Sequence, residues 1–174
     1  MMAQMNVNQK MPSVKKGFWT PRRVARLAIV IALSAVGGFI KIPSPTGTVA
    51  LDSAPGFFAA VAFGPIDGAI VGGVGHLFTA ATTGFPMGLP LHLFVALQQA
   101  VWAVLFWLVA RKVNLWVGVI AAVICNGVIA PALFIPIGGV GLFLSLLLPL
   151  TVGSAINIII SAIAYKIVKK SNMV

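Results

Sequence analysis

The side chains of this sequence that could do chemistry are few. They are Asp52, His76, Thr79, Phe85, His92, Gln98, Gln99, Asn126, Thr151, Ser154 and Asn157. Carboxamides, hydroxyls and imidazoles suit hydrogen bonding to a neutral polar molecule, and an aromatic ring suits stacking on its apolar part. Signs of covalent chemistry are missing. The chain has only two acids, Asp52 and Asp67, expected on opposite sides of the molecule, so no carboxylate pair forms. His76 and His92 lack the H-E-x-x-H spacing of a metalloprotease. No G-x-x-x-x-G-K-[ST] phosphate loop occurs, so the chain cannot drive ATP-dependent work alone. The single cysteine, Cys125, excludes an intramolecular disulfide. No enzyme, cofactor or metal site is expected.

The elements that position these residues follow from composition. Of 174 residues, 60% are hydrophobic and 8% charged, with mean hydropathy +1.07. A soluble domain carries about a quarter charged residues, so the solvent of this chain is lipid. Twelve Lys and Arg give a net charge of +10. A basic protein invites a nucleic-acid reading, but the bases cluster between apolar runs. The clusters are Lys10, Lys15, Lys16, Arg22, Arg23 and Arg26, then Arg111 and Lys112, then Lys166, Lys169 and Lys170. That is the pattern of cytoplasmic membrane flanks.

Apolar runs cover about 24–40, 54–82, 88–110, 113–135 and 141–165. Five crossings would put two basic clusters outside. Splitting the second run at Phe63-Gly64-Pro65-Ile66-Asp67-Gly68 gives six crossings and brings every basic cluster to one side. The expected fold is an all-α integral membrane protein with six transmembrane helices, both termini cytoplasmic and a short second helix. Residues 1–22 form a retained cytoplasmic tail, 23–170 the membrane domain and 171–174 a C-terminal tail. Residues 54–63 span about 15 Å against a core of about 30 Å, so protein or a cavity must cover their ends. This topology puts most of the polar set in the outer half, on four helices, beneath the loop Ile42–Pro55. Rival readings stay open for each member: Thr and Ser bond their own i−4 carbonyls, and amides glue helices together.

Two stripes of small residues mark close helix contacts. Gly68, Gly72, Gly75 and Thr79 share one face of the third helix, and Ala25, Ala28, Ala32 and Ala35 share one face of the first. Spacing alone favours packing within the protein for both.

The run Ile40-Lys41-Ile42-Pro43-Ser44-Pro45-Thr46-Gly47-Thr48-Val49-Ala50-Leu51-Asp52-Ser53-Ala54-Pro55-Gly56-Phe57, then Phe63-Gly64-Pro65-x-x-Gly68, Gly75-His76-Leu77 and Gly84-Phe85-Pro86-Met87-Gly88-Leu89-Pro90-Leu91-His92, resembles the S components of energy-coupling factor (ECF) vitamin transporters. The last two stretches look most like the branch assigned to α-ribazole, a cobalamin precursor. The resemblance implies six helices and an outward-facing vitamin site covered by the loop between helices one and two. It also implies a transmembrane coupling subunit, docked on an Ala-x-x-x-Ala motif matching Ala28 and Ala32, with two ATPase partners, in the plasma membrane of a prokaryote. Riboflavin or pantothenate as ligand, or an assembly subunit that binds none, are the alternatives.

Overall fold

The computed structural model describes residues 18–45, 47 and 49–171. Lys10, Lys15, Lys16, most of both expected tails, and Thr46 and Thr48 of the loop lie outside the described residues. Among the described residues six helices follow in order: α1 (Pro21–Gly37), α2 (Ala54–Phe63), α3 (Pro65–Thr82), α4 (Leu89–Lys112), α5 (Leu115–Ala132) and α6 (Ile135–Lys170). No named strand occurs among the described residues; one isolated bridge pairs Lys41 with Ala50. α4, α5 and α6 are long and apolar enough to cross a membrane, and α2 is a shorter apolar helix of 10 residues.

Local chemistry sets the boundaries. The Thr20 hydroxyl accepts the Arg23 N–H at 3.2 Å ahead of Pro21, and Asn114 caps α5 by accepting the Val117 N–H at 2.9 Å. The break expected inside the second apolar run is one residue wide: Gly64, with φ +123°, ends α2, and Pro65 opens α3. The last helix has two parts. Gly139, at φ +72°, separates a short helical turn that starts at Ile135 from the main length, which follows it and agrees with the apolar run expected from about 141.

α3 organises the bundle through two registers. Around the Gly64 hinge, α2 and α3 lie antiparallel. A Cβ on Gly68 would stand 2.4 Å from the Cβ of Ala60, and one on Gly56 would stand 2.7 Å from the Cα of Gly72. α1 runs parallel to α3 at a constant offset of forty-one positions. Arg26 meets Asp67 at 2.7 Å, a Cβ on Gly75 would meet Ser34 at 2.7 Å, and one on Gly38 would meet Thr79 at 2.7 Å. α4 covers another side, where the carbonyls of Gln99 and Ala96 lie 3.1 and 3.2 Å from the Cβ positions of Gly72 and Gly73. The glycine stripe of α3 is therefore internal packing. Phe57, Val61, Phe106, Val119, Ala122, Ile158 and Ala162 close the core between α2, α4, α5 and α6.

Where α1 and α3 begin, the buried Asp67 carboxylate accepts from Arg23 Nε at 2.8 Å, from Arg23 Nη2, and from Arg26 Nη2 at 2.7 Å. The guanidinium groups also lie over Phe18 at 3.7 Å and Phe63 at 4.0 Å. All three residues of this acid–base cluster were visible in the sequence, but not their pairing.

Close glycine contacts set a measurable cost. Gly56→Ala and Gly68→Ala should each lower stability by about 1–3 kcal/mol through overpacking. Gly141→Ala, where a Cβ meets nothing within 4 Å, should be near neutral. Thermal unfolding in detergent micelles reads the difference.

Candidate functional site

A cavity lies between the α1–α2 loop and helices α3 to α6. Val49, Ala50, Asp52 and Ser53 roof it, and His76 (α3) and Met87 (α3–α4 turn) flank it. Val95, Gln98 and Gln99 come from α4, Asn126 and Ala130 from α5, Phe134 from the α5–α6 link, and Leu146, Leu150, Gly153, Ser154 and Asn157 from α6. The space open to the centre of a water-sized molecule is about 70 Å³. Ligand pockets usually measure about 300–1,000 Å³, so a vitamin-sized molecule enters only when the loop or the side chains beneath it yield.

Three helices share one chain of polar contacts. Gln99 Nε2 donates to Asn126 Oδ1 at 3.0 Å, and Asn126 Nδ2 donates to Ser154 Oγ at 2.9 Å. A backbone irregularity sets Asn126 in this position. Residues Cys125–Ile129 form a π turn, with the Ala130 N–H reaching the Cys125 carbonyl. Pro131 has no N–H to give the carbonyl of Gly127, and the Thr151 hydroxyl fills that vacancy at 3.1 Å. A Cβ on Gly127 would stand 2.8 Å from the Cα of Thr151, so glycine allows the approach.

Asn157 latches the roof. Its Oδ1 accepts the Ala54 N–H at 2.9 Å, and its Nδ2 donates to the carbonyls of Ala50 at 3.0 Å and Gly153 at 2.9 Å. Ser161 adds a bond to the Ala54 carbonyl at 2.7 Å. Within the loop, the Ile42 N–H donates to Val49 O at 2.9 Å, and the Leu51 N–H to Ile40 O at 3.1 Å.

At the loop's inner edge, Asp52 Oδ2 lies 3.9 Å from His76 Nδ1. His76 Nε2 and His92 Nδ1 are 3.2 Å apart, with the rings stacked at 5.4 Å, and Phe85 packs its edge on His92 at 5.6 Å. Burial pushes the Asp52 carboxyl up to about 6, against hydrogen bonding from Thr79 and the charge of Lys41, which favour its ionised form.

Of the residues expected to meet a ligand, Asp52, His76, Gln98, Gln99, Asn126, Ser154 and Asn157 line the cavity. Four expected residues stand behind it. His92 is fully buried against His76, and Phe85 supports His92 from a turn at φ +51°. Thr79 donates to the Gly75 carbonyl at 3.3 Å and packs on Gly38, and Thr151 serves Gly127. The apolar lining, Val49, Met87, Val95, Phe134, Leu146 and Leu150, was not expected, because nothing in a lipid-soluble sequence distinguishes an apolar residue facing a cavity from one facing lipid. Ala28 and Ala32 are exposed on α1 beside the exposed Val24, Ile29, Leu33 and Val36.

A family profile described as "ECF transporter, substrate-specific component" matches residues 22–169. The chain belongs to this family. It is thus a substrate-binding membrane transport subunit rather than an enzyme, and membership implies partnering with an ECF module. A solved structure described as "Structure and mechanism of the S component of a bacterial ECF transporter" shares the fold at TM-score 0.62 and 23% identity, over 87% of this chain and 95% of that one. No curated protein matches the chain significantly.

Two measurements probe how this S component holds its roof. Asn157→Ala should cost about 1–3 kcal/mol, since it strips partners from buried backbone groups, and hydrogen exchange at the Ala54 amide should rise. The Asp52 carboxyl, near 3.8 in the unfolded chain and about 6 when folded, favours the folded state most below pH 4. That contribution is lost as pH rises through 6. Relative to Asp52→Asn, the wild type should therefore lose thermal stability between pH 4 and 7, on the order of 1–3 kcal/mol.

Proposed function

We propose that this chain captures a small neutral vitamin or precursor, α-ribazole by best fit, from outside the cell and delivers it to an ECF module for ATP-driven import. The observation that carries the reading is the cavity's polar inventory. Carboxamides and a hydroxyl from α4, α5 and α6 meet under the loop, and no Lys or Arg lines the space; the one carboxyl, Asp52, is pushed up to about 6 by burial. Such a site suits the ribose hydroxyls of a nucleoside, with Met87, Phe134 and His76 available to a flat ring. A free carboxylate would meet no cation there, which disfavours pantothenate.

The proposal includes six crossings with both termini cytoplasmic. Its support is the ion cluster that brings the starts of α1 and α3 to one end with Arg23, Arg26 and Asp67. The exposed Ala28 and Ala32 offer the coupling subunit a flat contact, and two ATPase subunits complete the assembly. The mutual bonding of Gln99, Asn126 and Ser154 also favours a second reading, in which these groups only hold helices together.

Titration of α-ribazole, riboflavin and pantothenate into ligand-stripped protein separates these readings. We expect one α-ribazole per chain and weakening by about 1–3 kcal/mol in Asn126→Ala. Binding of riboflavin instead would move the chain to another vitamin branch. An absence of binding by all three, from protein that also copurifies empty, would favour the assembly reading.

A further inference from the structure

A second concavity lies at the end of the molecule where α2 and α4 finish and α5 starts. It is an open groove of about 650 Å³, lined by Val61, Ala110, Arg111, Leu115, Tyr165, Lys166, Lys169 and Lys170. Its floor is the back of the hydrophobic core, since Val61 belongs to that core and Ala110, Leu115 and Tyr165 pack on it. Its rim is four cations from two helices, all exposed.

Among the described residues these cations have no side-chain counter-charge. The chain carries two side-chain carboxylates. Asp67 is taken by Arg23 and Arg26, and Asp52 lies in the cavity roof near His76. The helix ends do not balance the rim either. α4 and α6 finish here, each contributing roughly half a negative charge, while the start of α5 contributes roughly half a positive one. About three and a half positive charges remain, gathered around one hollow. Flanking aromatics place the hollow at headgroup depth. Lys166 lies over Trp116 at 5.6 Å and Lys169 over Tyr165 at 5.8 Å, and Trp and Tyr concentrate at the membrane–water interface.

We infer that this groove seats the headgroup of an anionic phospholipid, its phosphate held by Arg111, Lys166, Lys169 and Lys170 and its glycerol end resting on Val61, Ala110 and Leu115. An apolar floor inside a cationic rim matches a molecule that is anionic at one end and hydrocarbon at the other. A free phosphate would use the rim and leave the floor wet. No residue of α1 lines the groove, so a lipid there would leave the exposed face of Ala28 and Ala32 uncovered.

The test uses the full chain in detergent, delipidated, with short-chain phosphatidylglycerol or phosphatidylcholine added and bound lipid counted by native mass spectrometry. Wild type should retain phosphatidylglycerol over phosphatidylcholine. Lys166→Gln with Lys169→Gln should weaken that binding about 30-fold, at roughly a fivefold loss per basic residue, and Lys166→Arg with Lys169→Arg should keep it. A charge-matched control, Arg22→Gln with Lys112→Gln, should change it little. Equal retention of both lipids would overturn the inference. So would an equal loss in the control, which would mark diffuse attraction, or displacement by millimolar inorganic phosphate, which would mark a simple anion site.

Discussion

The structure depends on how closely other helices can approach α3. In lipid, helices gain little from burying apolar surface against one another, so association rests on close packing and hydrogen bonds. α3 supplies closeness by omitting side chains. Gly68 and Gly72 admit α2, Gly72 and Gly73 admit the α4 backbone, and Gly75 admits Ser34 of α1. Each contact also fixes a register, and the registers extend to both ends of the helix. The α1 register that seats Ser34 on Gly75 brings Arg26 to Asp67 two turns earlier. The α2 register that seats Gly56 on Gly72 brings Asp52 within 3.9 Å of His76 one turn further on. The ion cluster and the edge of the cavity thus follow from one set of missing Cβ atoms.

The other wall of the cavity is set by an irregularity that costs little because it is repaired. A proline inside a helix leaves the carbonyl four residues back without its donor. In lipid such an orphan is expensive. Thr151 of α6 donates to that carbonyl, so the repair is also a contact between α5 and α6. The π turn one step earlier places Asn126 between Gln99 and Ser154. Thr151 therefore matters to the site by holding the backbone that presents Asn126, although it does not line the cavity.

Much of this was legible in the sequence. Gly64-Pro65 marks the helix break because both residues have local, context-free effects on the backbone, and the structure breaks there. The paired amides and hydroxyls of α4, α5 and α6 stand out because a lipid-soluble chain carries few of them. What was not legible depends on register between helices. Whether Thr79 faces a cavity or its own Gly75 carbonyl cannot be read from period alone. Nor can the position of His92 behind His76, since both lie on helices whose relative depth is set by Gly72 and Gly73. The pairing of Asp67 with Arg23 and Arg26 needs the forty-one-residue offset, which only the packed α1–α3 contact supplies. The main length of α6 starts after Gly139, close to the apolar run read from about 141, whereas the short turn from Ile135 ahead of it was not legible, because nothing in an apolar run marks it as helical.

Hydrogen-bond capacity gives a physical distinction between helix glue and a binding site. Asn157 has spent both N–H groups and one lone pair of its Oδ1 on the loop and on α6, so it offers a visitor one acceptor position at most. It is chiefly structural, and its place in the lining reflects the roof it holds. Asn126 has spent one N–H on Ser154 and one lone pair on Gln99, leaving one of each. Gln99 has spent only one N–H, and its Oε1 has no partner among the described residues. That atom keeps accessible surface, and Gln99 lines the cavity. Glue in a membrane core would saturate itself, because every unmet group is penalised by the surrounding hydrocarbon. Here the latch at Asn157 is nearly saturated and the chain at Gln99 and Asn126 is not; Ser34 Oγ, His92 Nε2 and Trp102 Nε1 are unmet too but stand away from the space beneath the roof, so what suits Gln99 and Asn126 to a ligand is spare capacity together with a place in the lining.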